Sequence, residues 1–315
     1  VHRFCIVSDC CCIDVRSISI RSRTGFRTGA PGPRGQKILS FQQVELNRKL
    51  ETLQLNLKIV PQNILQNHLL SIVKDENVPN EVNALGTLIS PEYSGYLIPG
   101  TDTSTGQNVG LLSKIPPIAP LSRSDATHAY PVPGSSCGID ASSGGHSGVS
   151  KHSVALFDWN GIHAAVISVH LIAYPTDPER CAKREAQALV IADLVEQHIA
   201  DGYEVVVMGD FNDYDGDVLD ENTSHPTSNV LSIVKGNMLT NVAYKVPQQY
   251  RGTNWWDKNG DCEATGNEFV MIDHVLVTAG LLDRIESVGI YQGYTEYCGK
   301  MNSDHYPVLV NIRLD

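Results

Sequence analysis

The sequence predicts an α/β fold of two packed, mostly antiparallel β-sheets flanked by helices, arranged as a four-layer sandwich. Apolar residues occur both in alternating runs and in continuous runs, which are typical of half-buried and fully buried strands respectively. Few helical segments separate these runs, which favours sheet-on-sheet packing with the helices outside. With 315 residues and 42% hydrophobic content, the chain can bury a sizeable core.

The first half of the chain contains short predicted strands between irregular segments. Residues 38–44, 94–100 and 108–113 have strand-like composition. Residues 50–70 have apolar periodicity, although a proline interrupts them. Residues 131–150 are rich in Gly, Ser and Pro and predict a long irregular loop.

A β-hairpin and then the strongest helix follow. Strands are predicted at 152–157 and 163–170, with a turn at 159–161 between them. Asp177 followed by proline fits the start of a helix, and Gly202 fits the position just past its end. The buried face predicted for this helix consists of Ala182, Ala186, Leu189, Leu194, Val195 and Ile199.

Polar residues recur where the later strands begin or end. A β-branched run at 204–208 leads into Asp210 and Asn212, and strands predicted at 270–277 and 307–312 carry or follow further Asp and His residues. If these strands are neighbours, their ends converge on one cleft. Carboxylates and histidines without a thiolate cluster suit a hard cation such as Mg²⁺ and activation of water at phosphorus.

Four motifs in order carry a resemblance to a known family. They are SVHL at 168–171, GDFN at 209–212, IDHV at 272–275 and SDHYPV at 303–308. Together with NVGLLSK at 108–114, they resemble the endonuclease/exonuclease/phosphatase superfamily. The resemblance implies a deoxyribonuclease-like fold over residues 36–315 and metal-dependent hydrolysis of phosphoester bonds.

The resemblance also implies catalytic roles. Asp210 would position or deprotonate the attacking water, and Asn212 would orient Asp210 or bind the phosphate. His305 would contact the scissile phosphate while Asp273 holds its imidazole in one tautomer. His170 would stabilise phosphoryl oxygens or assist the leaving group.

Metal and phosphate ligands are expected at further positions. Asp304 would reach the cation, which we expect to be Mg²⁺ with Mn²⁺ or Ca²⁺ as alternatives. The family's glutamate ligand corresponds to Gln43, and Glu45 lies on the same strand face and would substitute for it. Lys151 and Asn108 are candidates for contacting the substrate phosphate, although Lys151 also fits a solvated lysine.

Other polar and aromatic residues have structural alternatives. His274 is expected to be structural, because alternation turns it away from the face of Asp273. The acidic residues of 215–221 predict a solvated loop, with a Ca²⁺ site as the alternative. Trp255 and Trp256 fit either packing or a substrate-stacking ridge.

The cysteines leave two interpretations open. Cys262–Cys298 and Cys137–Cys181 are the expected disulfides if the protein is secreted, and four buried thiols are the alternative. Together with a glycosylation triplet at 222–224, this favours a secreted or lumenal location over a cytoplasmic one. Residues 1–35 hold six Arg, four Cys and a Gly/Pro-rich stretch, so we expect an atypical, poorly packed segment from a misassigned first exon.

The expected partner is a phosphoester substrate: a nucleic acid, a phospholipid head group or a soluble phosphodiester. The net charge of −11 disfavours broad electrostatic coverage of nucleic acid. No apolar run is long enough for a transmembrane segment, and a monomer is expected. The alternative function is a catalytically impaired family member that acts as a binding module, because Gln43 replaces a charged ligand and the family's first strand is not recognisable.

Overall fold

A computed structural model of the chain describes residues 3–4, 69–74, 82–83, 86, 90–174, 176–261, 263, 265–292 and 304–314. In chain order the strands are β1 Arg3–Phe4, β2 Leu69–Lys74, β3 Ser94–Leu97, β4 Asn108–Ser113, β5 His128–Tyr130, β6 Gly145–Ser147, β7 His152–Trp159, β8 Ile162–His170, β9 Glu204–Asp210, β10 Leu239–Asn241, β11 Asn254–Trp255, β12 Phe269–Val270, β13 Asp273–Thr278, β14 Ile285–Ile290 and β15 Val308–Arg313. The α-helices are α1 Pro178–Ala200, α2 Val230–Lys235 and α3 Ala279–Leu282.

The central layer is a five-stranded sheet with the order β10–β13–β9–β8–β7. All of its pairs are antiparallel except β8–β9, which is parallel and is connected through α1. Both faces of β9 are covered by other elements, which explains its continuous run of apolar residues. This position places the end of β9 between two neighbouring strands.

Two apolar clusters cover the two faces of this sheet. On one face, side chains of α1 and α2 such as Ile191 and Val234 pack with Ile167 and Val207. On the other face, residues of β4 and β15 pack with β7, β9 and β13, as in the contacts around Met208. Strand β4 belongs to the sheet β2–β4–β3, and β15 belongs to the sheet β1–β15–β14. The predicted fold class, packed sheets of mostly antiparallel strands with helices outside them, is therefore confirmed.

The helix α1 has the predicted start but a different buried face. The side chain of Asp177 accepts a hydrogen bond from the Arg180 backbone N–H, as an N-cap should. Of the predicted face, Ala182, Ala186 and Val195 are buried, whereas Leu189, Leu194 and Ile199 are only partly buried. The buried face instead includes the polar side chains Arg184, Glu185 and Gln187.

The hairpin β7–β8 is longer than predicted. Its turn consists of Asn160 and Gly161, which have φ angles of 55° and 87°. A two-residue turn with both residues in the left-handed region matches the twist of the flanking strands. Pairing therefore continues to the last residue before the turn, Trp159, which pairs with Ile162.

Several predicted boundaries are corrected by the structure. Residues 69–74 form β2, where the sequence indicated the end of an apolar-periodic stretch. Strand β14 was not predicted, and the loop at 131–150 contains the short strand β6, which pairs with β5. The strand predicted at 38–44 lies outside the described residues.

One of the two expected disulfides is present. Cys137 and Cys181 are bonded, with their Cα atoms 5.5 Å apart, and they join the loop before β6 to the first turn of α1. For this pair the buried-thiol alternative is therefore wrong. Cys262 and Cys298 lie outside the described residues.

Most of the atypical segment 1–35 also lies outside the described residues. Its described part, β1, pairs with β15 through Arg3 with Arg313 and Phe4 with Ile312. Within the described part of the chain, no helix has the length and hydrophobicity needed to cross a bilayer.

Candidate active site

Three predicted site residues lie side by side at one edge of the central sheet, where β8 and β9 end and β13 begins. Asp210 pairs with His170 across the parallel pair β8–β9 and with Asp273 across the antiparallel pair β9–β13. The preceding residue, Gly209, has a φ of 136°, and a Cβ there would lie 1.9 Å from the carbonyl oxygen of Val169. Only glycine fits this close approach, which brings the end of β9 against β8.

Asn212 holds the carboxylate of Asp210. The Asn212 backbone N–H donates to Asp210 Oδ1 at 2.8 Å, and its side-chain Nδ2 donates to Oδ2 at 2.9 Å. The same Nδ2 donates to the Leu171 carbonyl at 3.0 Å. Asn212 adopts a φ of 51°, a left-handed conformation that Asn tolerates better than most residues. The turn after β9 therefore fixes the orientation of the carboxylate.

The carboxyl group of Asp210 has an unusual proton affinity. Burial raises the pKa of Asp210 to about 7, and the neighbouring charge of Asp273 contributes to this rise. A carboxyl group of this kind can exchange a proton near neutral pH, as a general base must.

Asp273 and His305 form a hydrogen-bonded pair. His305 Nδ1 lies 2.8 Å from Asp273 Oδ2, and the Asp273 side chain is fully buried. Nδ1 therefore carries the proton and donates to the carboxylate, which fixes the tautomer of the ring. An isolated bridge between Asn254 and His305 holds the backbone of the histidine beside β11.

His170 is neutral at the same edge. Burial, and then the charge of Lys151, keep the pKa of His170 well below its usual range. Its Nε2 lies 3.6 Å from Asp210 Oδ2, which is too long for a hydrogen bond, and the neutral ring excludes an ion pair. Among the described residues the buried Nδ1 has no hydrogen-bond partner.

Lys151 is buried beside His170. The alternative of a solvated lysine is wrong, because Lys151 is 9% exposed. Its Nζ donates to Gln107 Oε1 at 3.2 Å and lies 3.6 Å from Asp102 Oδ2. The Lys151 carbonyl accepts the His170 N–H at 2.9 Å.

Asn108 supports the loop before β4. Its Oδ1 accepts the Gly100 N–H at 2.6 Å, and its Nδ2 donates to the Gly106 carbonyl at 3.2 Å. These contacts close the loop between the two glycines. A contact of Asn108 with the substrate phosphate stays a prediction.

Of the three residues expected to bind the metal, Asp304 lies within the described part of the chain. Asp304 is exposed and its carbonyl accepts hydrogen bonds from the Trp255 N–H and from Asn254 Nδ2, which fix its backbone next to the histidine pair. An exposed carboxylate here fits a hard cation. No group of three or more His, Cys, Asp or Glu side chains within the described ranges forms a metal centre, and Gln43 and Glu45 lie outside those ranges.

His274 is structural, as predicted. It is fully buried, Nε2 donates to the Asp213 carbonyl at 2.9 Å, and Nδ1 accepts from Asn241 Nδ2 at 3.0 Å. Burial also lowers the pKa of His274, consistent with a neutral ring.

The acidic loop is only partly solvated, because Asp217 is exposed while other acidic residues of the loop are buried. Asp215 and Asp220 are buried, and Lys235 Nζ lies 2.6 Å from both Asp215 Oδ1 and Asp217 Oδ2. Because a lysine neutralises the cluster, the geometry does not fit the alternative of a Ca²⁺ site.

The two tryptophans have different environments. Trp255 is buried and its Nε1 donates to Glu268 Oε2 at 3.2 Å, in agreement with the packing interpretation. Trp256 is 67% exposed. It lies two residues from Asn254, whose side chain contacts Asp304, so the substrate-stacking interpretation applies to Trp256 alone.

Sequence reasoning missed the polar groups behind the site. Arg184, Gln187 and Asp213 are buried and contact the loops that carry the site residues. The signal that could have found them is the position of two polar residues, three apart, on the face of α1 that packs against the sheet.

The chain is similar to known proteins in sequence pattern and in fold. The family model described as the Endonuclease/Exonuclease/phosphatase family matches residues 39–305. A solved structure of a variant of the 3' phosphatase NExo from Neisseria, bound to a product DNA hairpin, is similar in fold, with a TM-score of 0.57 and 15% identity over 85% of this chain and 95% of that one. No curated protein matches the chain in sequence.

Two further solved structures have similar coverage. The 3'-5' exonuclease (NExo) from Neisseria meningitidis has a TM-score of 0.56 and 16% identity, over 85% of this chain and 95% of that one. A humanized D. rerio TDP2 has a TM-score of 0.52 and 13% identity, over 84% of this chain and 93% of that one. At these identities the similarity establishes the fold.

Proposed function

The chain belongs to the endonuclease/exonuclease/phosphatase family, and from that membership and the site geometry we propose that it is a divalent-metal-dependent phosphodiesterase of the nuclease type. The observation that carries the proposal is the constellation at the end of β9. There the buried carboxylate of Asp210 lies next to the hydrogen-bonded pair Asp273–His305 and the neutral His170.

Asp210 acts as the general base in this proposal. Asn212 occupies one lone-pair direction on each carboxylate oxygen, so the remaining directions are available to a water molecule. With a pKa of about 7, Asp210 can accept the proton that the water loses as its oxygen attacks phosphorus. The proton transfer and the attack of the water both require a fixed orientation of the Asp210 carboxylate, and the turn after β9 provides that orientation.

His305 and His170 contact the phosphoryl group from two sides. His305 presents Nε2, because its Nδ1 is held by Asp273, and the buried carboxylate stabilises the ring if it becomes protonated. His170 contributes a neutral ring whose Nε2 lies 3.6 Å from Asp210 Oδ2. Lys151 adds a buried positive charge beside His170, which favours an anionic group at this position.

The cation is Mg²⁺ in this proposal, with Mn²⁺ or Ca²⁺ as substitutes. Asp304 would hold it together with Glu45 or Gln43 from the early part of the chain. When bound, the cation supplies positive charge near the phosphoryl oxygens and offsets the negative charges of the two neighbouring carboxylates.

A nucleic acid is the substrate class with the most support. The similar structures include a 3' phosphatase bound to a product DNA hairpin and a 3'-5' exonuclease. The exposed Trp256 beside the site offers a surface on which an unpaired base could stack. A net charge of −11 favours substrates held locally over broad contact with a duplex.

A hydrolysis screen tests the proposal. The purified protein is incubated with Mg²⁺, Mn²⁺ or Ca²⁺ and with single-stranded DNA, RNA, sphingomyelin or bis-p-nitrophenyl phosphate. We expect cleavage of DNA or RNA that EDTA abolishes and added Mg²⁺ restores. Cleavage of sphingomyelin alone would assign a lipid head group instead, and activity that resists EDTA would overturn the metal dependence.

The second candidate function is binding without catalysis. It is favoured by Gln43, which would remove one negative charge from the metal site. In that case oligonucleotides bind in a fluorescence anisotropy assay, but no cation supports their cleavage.

A further inference from the structure

Two buried polar side chains on α1 are not used by the proposed chemistry. Arg184 is 0% exposed and Gln187 is 5% exposed. Their i, i+3 spacing puts both on the face that packs against the sheet. Burying such groups costs free energy unless they are hydrogen bonded, so the hydrogen bonds that they make indicate their role in the fold.

Both side chains hold the backbone of Ile172. The Ile172 N–H donates to Gln187 Oε1 at 3.0 Å, and the Ile172 carbonyl accepts from Arg184 Nη1 at 3.1 Å. Ile172 lies two residues after His170, where the chain leaves β8. The path of the chain immediately after His170 is therefore fixed from α1.

The same two side chains reach two further loops. Gln187 Nε2 donates to the carbonyl of Gly148 at 3.0 Å, three residues before Lys151. Arg184 Nη2 lies 3.7 Å from Asp213 Oδ2, in an ion pair with no solvent exposure on either side chain. Asp213 directly follows Asn212 in the turn that orients Asp210.

The three loops are also bonded to one another at the site. The Leu171 N–H donates to the Asp210 carbonyl at 2.9 Å, and the His170 N–H donates to the Lys151 carbonyl at 2.9 Å. A shift of one loop is therefore transmitted to the other two. Arg184 and Gln187 hold all three from behind.

We infer that Arg184 and Gln187 are positioning residues that set the relative placement of Lys151, His170 and Asp210. This role rests on the proposed function, because it assigns to α1 the geometry of the same site. A displacement of about 1 Å between catalytic groups can reduce turnover by about a hundredfold, so hydrogen bonds this close to the site affect rate as well as stability.

Gln187→Leu tests this role because it keeps the volume while removing the contacts to Ile172 and Gly148. Val195→Ala is the matched control, since Val195 is buried on the same helix and packs in an apolar cluster. We expect Gln187→Leu to lower kcat by about 10- to 100-fold with KM changed by less than about twofold. We expect Val195→Ala to lower Tm while kcat is retained well below that Tm.

Arg184→Lys provides the second variant, because removal of the positive charge would leave the buried Asp213 without its charged partner and the chain could fail to fold. Lysine keeps the charge but cannot contact the Ile172 carbonyl and Asp213 with a planar fork. We expect an intermediate loss of kcat. The positioning role would be overturned if Gln187→Leu and Arg184→Lys both kept the wild-type kcat. It would also be overturned if Val195→Ala and Gln187→Leu had the same Tm and lost kcat equally.

Amide hydrogen exchange provides a readout that does not need activity. The Ile172 N–H should be protected in the wild type and in Val195→Ala, and should exchange at least about tenfold faster in Gln187→Leu. Unchanged protection in Gln187→Leu contradicts the positioning role. A wild type that hydrolyses nothing while this pattern holds contradicts the proposed function and leaves the positioning role intact.

Discussion

Asp210 combines burial with a position between two other catalytic candidates. A carboxylate in such a place would ordinarily be neutralised or paired. Here Asn212 supplies two hydrogen bonds to its oxygens, and the adjacent Asp273 disfavours its ionisation. At the scale of single residues, the environment of the site therefore raises the pKa of Asp210 and lowers the pKa of His170. Such shifted pKa values are common in sites of acid–base catalysis.

The first residue-scale prediction concerns Asp210. Asp210→Ala should reduce hydrolysis by at least about a hundredfold, because it removes the group that accepts the proton of the attacking water. The loss should appear in kcat, since substrate contacts through His305 and Lys151 remain. Asp158→Asn, at an exposed position in β7 near the hairpin turn, is the control and should match the wild type. Activity retained within about threefold in Asp210→Ala would exclude the proposed base.

Gln43 provides the second prediction at this scale. Gln43→Glu should raise activity, and the gain should be largest at low Mg²⁺ because the added carboxylate strengthens cation binding. A titration of activity against Mg²⁺ concentration measures the change as a shift of the midpoint to lower concentration. Superimposable titrations of the two proteins would show that Glu45 or another residue is the ligand.

At the scale of elements, α1 connects the two halves of the central sheet and holds the loops of the site. Its first turn is attached to the loop before β6 by the disulfide Cys137–Cys181, whose cysteines are 44 residues apart. The side chains Arg184 and Gln187 follow within two turns. The first turns of the helix are thus attached to four segments: the loop before β6 through the disulfide, and the three loops of the site through Arg184 and Gln187.

The disulfide yields a prediction about stability. Replacing both Cys137 and Cys181 by Ala should lower the free energy of unfolding by about 2–4 kcal/mol, because the unfolded chain regains the freedom of a long loop. Denaturant unfolding with and without a reductant measures this effect. The reductant should destabilise the wild type more than the double variant, in which Cys262–Cys298 is the other expected disulfide. Equal sensitivity of both proteins would mean that another bond carries the effect.

At the scale of the whole molecule, buried neutral histidines couple stability to pH. His152 is 1% exposed; its Nε2 accepts the Ser124 N–H at 2.9 Å, and its Nδ1 donates to the Val149 carbonyl at 3.0 Å. Burial, and then the charge of Arg123, lower the pKa of His152 to about 4. The pKa of His274 is also lowered by burial.

The contribution of His152 to stability should therefore be lost as the pH decreases from about 6.5 to about 4, whereas Asp210, whose pKa is raised to about 7, contributes with the opposite sign in this range. In that range the unfolded chain binds a proton at His152 that the folded chain does not, which favours unfolding. The loss from His152 alone is about 3 kcal/mol. Chemical denaturation at several pH values measures it. His152→Gln should remove the His152 contribution from the dependence of stability on pH, whereas His146→Gln, at an exposed position, should match the wild type; equal slopes in all three proteins would contradict this assignment.

The sequence alone determined the fold class, the hairpin, the start of α1 and the family. These depend on local patterns: apolar alternation, a capping aspartate followed by proline, and four short motifs in order. The structural role of His274 also followed from the alternation of side chains along one strand. Such features can be predicted because the interactions that produce them lie within a few residues.

Only the tertiary structure decided which polar residues are buried and what they contact. Lys151 and Asp215 of the acidic loop were open to solvated interpretations, yet both are buried because Asp102, Gln107 and Lys235 reach them from distant parts of the chain. The polar face of α1 was likewise missed, since a helical pattern assigns burial to apolar residues. Partners far apart in sequence compensate the cost of burying charge, and local patterns carry no information about those partners.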